Sequence, residues 1–426
     1  MKILIKNGRL IDPASGTDAP RNVYVAAGKI AGIGNAPAGF TPERTLDAAG
    51  LAVCPGLVDL SARLREPGFE YKATLESEMR AAVAGGVTSL ACPPDTDPPL
   101  DEPGLVEMLT FRARSLNLVR VYPIGALTAG LAGERLAEMA VLHDAGCVAF
   151  SQADTPLVDT QVLWRAMQYA STLGFSVWLR PMDGYLARDG VAHDGEVASR
   201  LGLAGIPALA ETVALATILQ LARASGARVH LCRLSTAEAV TMVRRAKEEG
   251  LAITCDVGAH HAHLSEMDLG YFDSHSHLVP PLRSLRDRDA LRAGLAEGTI
   301  DAICSDHAPV DEDAKQIPFG ESEAGATGLE LLLPLTLKWA SETKQPLAKA
   351  LAAVTSRPAA ILGIDAGTIA LGGPADLVLF DPEDHVRITP EFLKSQGKNT
   401  PFLGYELPAR VRYTLVGGKV VYASAG

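Results

Sequence analysis

Eight short, apolar, strand-like runs recur along the middle of the chain with helix-length amphipathic segments between them. This alternation restricts the fold more than any other property of the sequence. The runs are Leu57 to Leu64, Val87 to Cys92, Val119 to Ala126, Cys147 to Ser151, Phe175 to Leu179, Arg228 to Leu234, Ala252 to Val257 and Ile300 to Ser305. Helical periodicity occupies Leu75 to Ala84, Glu134 to Asp144, Thr160 to Leu173, Glu211 to Ala224 and Glu238 to Glu249, several of them closed by Gly. Parallel strands need long crossovers, usually helical, so eight such units imply a (β/α)8 TIM-type barrel with its chemistry at the strand C-termini.

The flanks differ. Residues 1–52 carry Ile3-Leu4-Ile5, Val23-Tyr24-Val25 and Ile30-Ala31-Gly32-Ile33, and residues 365–426 carry Ala375 to Phe380, Val411 to Val416 and Lys419 to Tyr422. Both are strands and turns without long helices, which predicts a small β-sandwich domain formed by both termini around a barrel spanning 53–364. A chain of 426 residues, 47% hydrophobic and 21% charged, has the material for both units. A net charge of -11 argues against nucleic acid or an anionic membrane as partner. Met1 to Asp12 interleaves charges with short apolar runs, unlike a signal peptide or a membrane span, so a cytoplasmic location is expected. The six cysteines are widely spaced with no CxxC pair, which favours buried free thiols over disulfides or a zinc site.

The first strand carries the most informative local string, Pro55-Gly56-Leu57-Val58-Asp59-Leu60-Ser61-Ala62-Arg63-Leu64-Arg65-Glu66-Pro67-Gly68. Alternate strand residues share a face, so Ser61, Arg63 and Arg65 are expected to point one way. Histidines at 61 and 63 would chelate a metal at a barrel rim. An arginine, always cationic, cannot, and a serine hydroxyl is a poor donor. Other features invite plainer readings. Gly85-Gly86 is a helix stop rather than a phosphate cradle, Asp311-Glu312-Asp313 a solvated loop, and Arg244 to Glu249 a solvated helix end. Ser305 lacks the base and orienting acid of a catalytic triad.

Further strings accompany it: Ala81-Ala82-Val83-Ala84-Gly85-Gly86-Val87-Thr88, Asp95-Thr96-Asp97-Pro98, Gly202-Leu203-Ala204-Gly205-Ile206-Pro207, Pro280-Pro281-Leu282-Arg283, Ser305-Asp306-His307-Ala308-Pro309, Thr327-Gly328-Leu329-Glu330, Gly372-Gly373-Pro374-Ala375-Asp376-Leu377 and Asn399-Thr400-Pro401-Phe402-Leu403-Gly404. Together they make the chain resemble a type I dihydroorotase of the amidohydrolase superfamily over essentially its full length. The resemblance implies closing or opening of dihydroorotate by zinc-activated water at a barrel mouth.

Carried over position by position, the family's metal ligands are largely missing. The paired histidines fall on Ser61 and Arg63, an aspartate ligand on Ala153, the fifth-strand histidine on Arg180 and the sixth-strand histidine on Arg233. Asp306, a ligand and general base in the family, is kept, as is Arg65, which matches the arginine that grips the substrate carboxylate. Substrate-contacting asparagines fall on Asp95 and Val279, and a histidine falls on Val310. Asp95 is expected to repel a carboxylate.

A dication is disfavoured beside several arginines, so Arg63, Arg180 and Arg233 are expected to converge at the mouth, with at least one pairing Asp306 in place of zinc. Five histidines, His260, His261, His263, His275 and His277, form the rival metal site, read here as loop and packing residues. The resemblance extends to non-catalytic dihydroorotase-like chains that assemble with the catalytic chain of aspartate carbamoyltransferase. A metal-free, catalytically inactive stabilising subunit of that kind, itself a homo-oligomer, is the leading expectation. The alternatives are an active cyclic amidohydrolase with a remodelled site, or a module that holds a small anion without turning it over.

Overall fold

The computed structural model describes residues 1–424. The eight expected strands are present: β1 (Leu57–Asp59), β2 (Val87–Cys92), β3 (Arg120–Ala126), β4 (Ala149–Ser151), β5 (Ser176–Leu179), β6 (Arg228–Leu231), β7 (Ile253–Gly258) and β8 (Ala302–Cys304). They follow one another in sequence order across one sheet, every pairing parallel. The seam between first and last closes through a parallel bridge of Ala62 with His307, where Arg63 N–H donates to His307 O (2.9 Å) and His307 N–H to Ser61 O (3.0 Å). The result is a TIM-type barrel.

β1 is shorter than its sequence suggests. It ends at Asp59, whose buried carboxylate accepts Ser305 N–H (2.8 Å) and Ser61 N–H (3.4 Å), binding the strand's end to β8. Ser61, Arg63 and Arg65 follow in an irregular segment, and Arg65 has φ +64°, so strand alternation does not continue to residue 65. The helix Thr160–Leu173 matches its expected bounds: Asp159 caps it by accepting Gln161 N–H (2.8 Å), and Gly174 at φ +71° stops it. The Glu134 to Asp144 segment becomes helical only at Met139. Its first residues are used elsewhere, since Leu136 bridges Thr128 and Ala129 N–H donates to Arg135 O (2.8 Å).

Both termini build the companion unit. One sheet contains Lys2–Lys6, Val23–Ala26, Lys29–Ile33 and Arg44–Asp47; the other has six strands, with Leu377–Arg387 and Ala52–Pro55 at its centre. Side-chain alternation divides the six-stranded sheet between two cores. Leu10, Val53, Leu377 and Leu379 pack against Ile3, Ile5, Val25 and Leu46 of the facing sheet. Their neighbours Ile11, Ala52, Cys54, Val378 and Phe380 point the other way, into the barrel's core. The barrel thus rests on a sheet whose two faces are both buried.

Candidate functional site at the barrel mouth

The loops that follow the strands bring six charged groups together. Arg63 follows β1, Asp95 β2, Asp154 β4, Arg180 β5, Arg233 β6 and Asp306 β8. Arg63 donates from Nε to Asp95 Oδ2 (2.7 Å) and from Nη2 to Asp154 Oδ2 (2.5 Å), with Nη1 3.5 Å from Asp306 Oδ1. Arg233 donates from Nη1 to Asp306 Oδ1 (2.8 Å) and from Nη2 to Asp154 Oδ1. Arg180 donates from Nε to Asp154 Oδ1 (2.6 Å) and from Nη2 to the Asp154 carbonyl (2.8 Å). Three guanidinium groups and three carboxylates therefore compensate one another in a largely buried cluster.

The backbone at these positions is unusual. Ala153, Arg233 and Asp306 have φ values of +50°, +56° and +47°. Non-glycine residues adopt this left-handed region at a cost of about 1–2 kcal/mol each, and only where the surroundings fix them. Here they are fixed: Ala153 N–H donates to Ser151 Oγ (3.0 Å), and Arg233 N–H to Asp256 Oδ1 (2.6 Å), whose other oxygen bonds His230 Nε2 (3.0 Å).

Burial and charge oppose each other within the cluster. Burial by itself would raise the Asp154 carboxyl, but Arg233, Arg63 and Arg180 outweigh it and hold Asp154 well below the ordinary carboxylate range. At Asp306 burial prevails and raises the carboxyl, despite Arg233 and Arg63 and with added repulsion from Asp154.

The expected convergence of Arg63, Arg180 and Arg233 is present, and Arg233 pairs with Asp306 as was expected of at least one of them. Arg180 pairs with Asp154 rather than with Asp306. Asp95, read in the sequence as repelling a substrate carboxylate, is a partner of Arg63. Arg65 stands apart: its Nε donates to Pro309 O (2.9 Å), and its Nη2 is 4.0 Å from Glu323. Ser61 lies at the seam, its carbonyl accepting from His307 N–H. Asp154 is the central residue that sequence reasoning did not single out. Its signal was a carboxylate one position beyond Ala153, in Phe150-Ser151-Gln152-Ala153-Asp154.

The histidines do not converge. His260, His261 and His263 bond the carbonyls of Thr327 (3.4 Å), Pro280 (2.9 Å) and Leu335 (2.8 Å), and His277 bonds Ser322 Oγ (3.0 Å). Burial lowers each of these four imidazoles to about 4.

A zinc ion needs imidazole, thiolate or carboxylate donors. Around Asp306 the family's ligand positions present a hydroxyl, a methyl and three guanidinium groups, so these residues do not fit zinc. Among the described residues, no group of three or more His, Cys, Asp and Glu is arranged to hold a metal ion.

Comparison with known proteins agrees with the barrel and its strings. The family model described as Dihydro-orotase-like matches residues 50–239, and that of the Amidohydrolase family matches 190–421. A dihydroorotase-like protein of Pseudomonas aeruginosa is 47% identical over 422 residues, covering 99% of this chain and 100% of its own length. The chain belongs to the dihydroorotase-like family of amidohydrolases. A dihydroorotase of a Geobacter species is 41% identical over 422 residues, covering 99% of each chain. Among solved structures, L-hydantoinase (dihydropyrimidinase) from Arthrobacter aurescens superposes with a TM-score of 0.87 at 23% identity, over 98% of this chain and 95% of its own. At that identity the likeness speaks for the fold.

Proposed function

We propose that this dihydroorotase-like chain does not turn over dihydroorotate, carries no zinc, and serves as an assembly or stabilising subunit for the catalytic chain of aspartate carbamoyltransferase in the cytoplasm, itself as a homo-oligomer. The observation that carries the reading is the state of Asp306. One oxygen of this carboxylate, Oδ1, is held by Arg233 at 2.8 Å, with Arg63 at 3.5 Å. An oxygen occupied by a guanidinium hydrogen bond is not free to ligate a metal, and the cations around it oppose a second positive charge.

Supporting evidence lies in what the fold retains. Buried Glu78 accepts from His307 Nε2 (2.6 Å), Ser395 Oγ (2.6 Å) and Gln396 N–H (3.0 Å), joining β8, the helix Leu75–Ala84 and the C-terminal segment. Buried Glu211 accepts the N–H groups of Ser235 (3.0 Å) and Thr236 (3.1 Å). These networks hold the barrel together while the ligand positions differ, which suits a chain whose role is to present a folded surface.

The test is size-exclusion chromatography of the chain with and without the same organism's aspartate carbamoyltransferase catalytic chain. Co-elution is expected. Separate elution, with a carbamoyltransferase that is active and stable alone, contradicts the reading. The second reading, an active cyclic amidohydrolase, draws on relatives such as the Geobacter dihydroorotase. It predicts stoichiometric metal and turnover of a cyclic amide.

A further inference from the structure

We propose that Arg63, Arg180 and Arg233 form a carboxylate-binding seat whose resident ligand is the chain's own Asp154. The inference rests on the reading of the mouth as an ion-paired site, not on the partner assignment. Asp154 is the only carboxylate of the cluster that bonds all three arginines: Arg63 at 2.5 Å, Arg180 at 2.6 Å, and Arg233. Each oxygen meets guanidinium N–H groups from more than one strand end, as a bound oxyanion's would.

Two features distinguish a seat from an ordinary ion-pair network. First, donors remain unused: Arg180 Nη1 and Arg233 Nε are buried without a hydrogen-bond partner, on side chains only 5% exposed. The guanidinium groups offer more than Asp154 takes. Second, Asp154 is the most exposed of the three carboxylates, with a side chain 33% exposed against 25% for Asp95 and 10% for Asp306. Of the three arginines, Arg180 also lines a neighbouring cavity of about 160 Å³, together with Gln152, Ala153, Thr155, Met182 and Tyr185. Removing the Asp154 carboxylate thus leaves a cationic space that a small carboxylate can enter from solvent. With Asp154 in place, the seat is closed to free anions.

Asp154→Ala tests this by chemical rescue, read as thermal unfolding in acetate against chloride at equal ionic strength and neutral pH. The variant is expected to melt below the parent and to recover part of the loss in acetate, with a half-effect concentration at least about tenfold below any response of the parent. Adding Arg180→Ala is expected to abolish the rescue. Equal acetate responses of parent and variant, or rescue that survives loss of Arg180, overturns the proposal. Should Asp154→Ala not fold, Asp154→Asn keeps the shape and removes the charge. Its destabilisation is expected to shrink when Arg180→Met is also present, and strictly additive effects overturn the seat. Zinc and turnover measured on the parent report on the non-catalytic reading independently of these outcomes.

Discussion

Replacing Arg233 with Met tests the ion cluster where it is most buried. The substitution keeps an unbranched apolar stem and deletes the guanidinium, leaving Asp306 with only Arg63, at 3.5 Å. Asp154 retains Arg63 at 2.5 Å and Arg180 at 2.6 Å and is partly exposed, so it contributes little to the loss. Removing one partner of a buried pair typically costs about 3–5 kcal/mol, because the other charge stays desolvated. The remaining Arg63 contact places Arg233→Met near the lower end, about 3 kcal/mol. At an unfolding entropy of roughly 2 cal/mol/K per residue over 426 residues, that corresponds to a fall in Tm of about 3–4 °C. Adding Asp306→Leu removes the stranded charge, so the double variant should lose less than the two singles together, by about 2 kcal/mol. Differential scanning fluorimetry and urea unfolding read both quantities. An Arg233→Met variant as stable as its parent, or strict additivity with Asp306→Leu, refutes the claim that the two groups compensate each other.

Three further outcomes are expected. Exhaustive treatment with a chelator should leave the melting curve unchanged, whereas loss of a bound structural metal would lower it. Glu78→Ala strands the donors of His307, Ser395 and Gln396 and should destabilise by about 3 kcal/mol in urea unfolding, with the cluster at the mouth intact. Stability should fall as pH drops from about 6.5 toward 4. His260, His261, His263 and His277 are lowered to about 4, so in that window the unfolded chain takes up protons that the folded chain refuses. Asp59, raised to about 6, and Asp306, also raised by burial, oppose this, but two carboxyls stand against four imidazoles, so a flat Tm across the window would contradict the burial of the histidines.

The barrel was legible because its strands are buried on both faces and so read as apolar runs bounded by turns; each of the eight runs contains a strand in the structure. Ends were less legible, since they depend on partners distant in sequence. β1 stops where Asp59 turns to Ser305, and the helix Met139–Asp144 starts late because Leu136 bridges Thr128. At the mouth, the missing ligand types followed from the family resemblance, and the convergence of three arginines from strand position. What fills the space between them followed from neither. Asp154 stands one residue past the family's ligand position, and the left-handed backbone of Ala153 directs the loop there, a conformation that no local residue preference announces. Asp95 looked hostile to a substrate carboxylate, and only the fold shows that Arg63 is its neighbour.

Elemental analysis of the protein, produced without a histidine tag and equilibrated with excess zinc before exhaustive dialysis, tests the central claim most directly. The account predicts zinc far below one ion per chain, because Arg233 and Arg63 hold the carboxylate a metal would need. One or more tightly retained zinc ions per chain would contradict it.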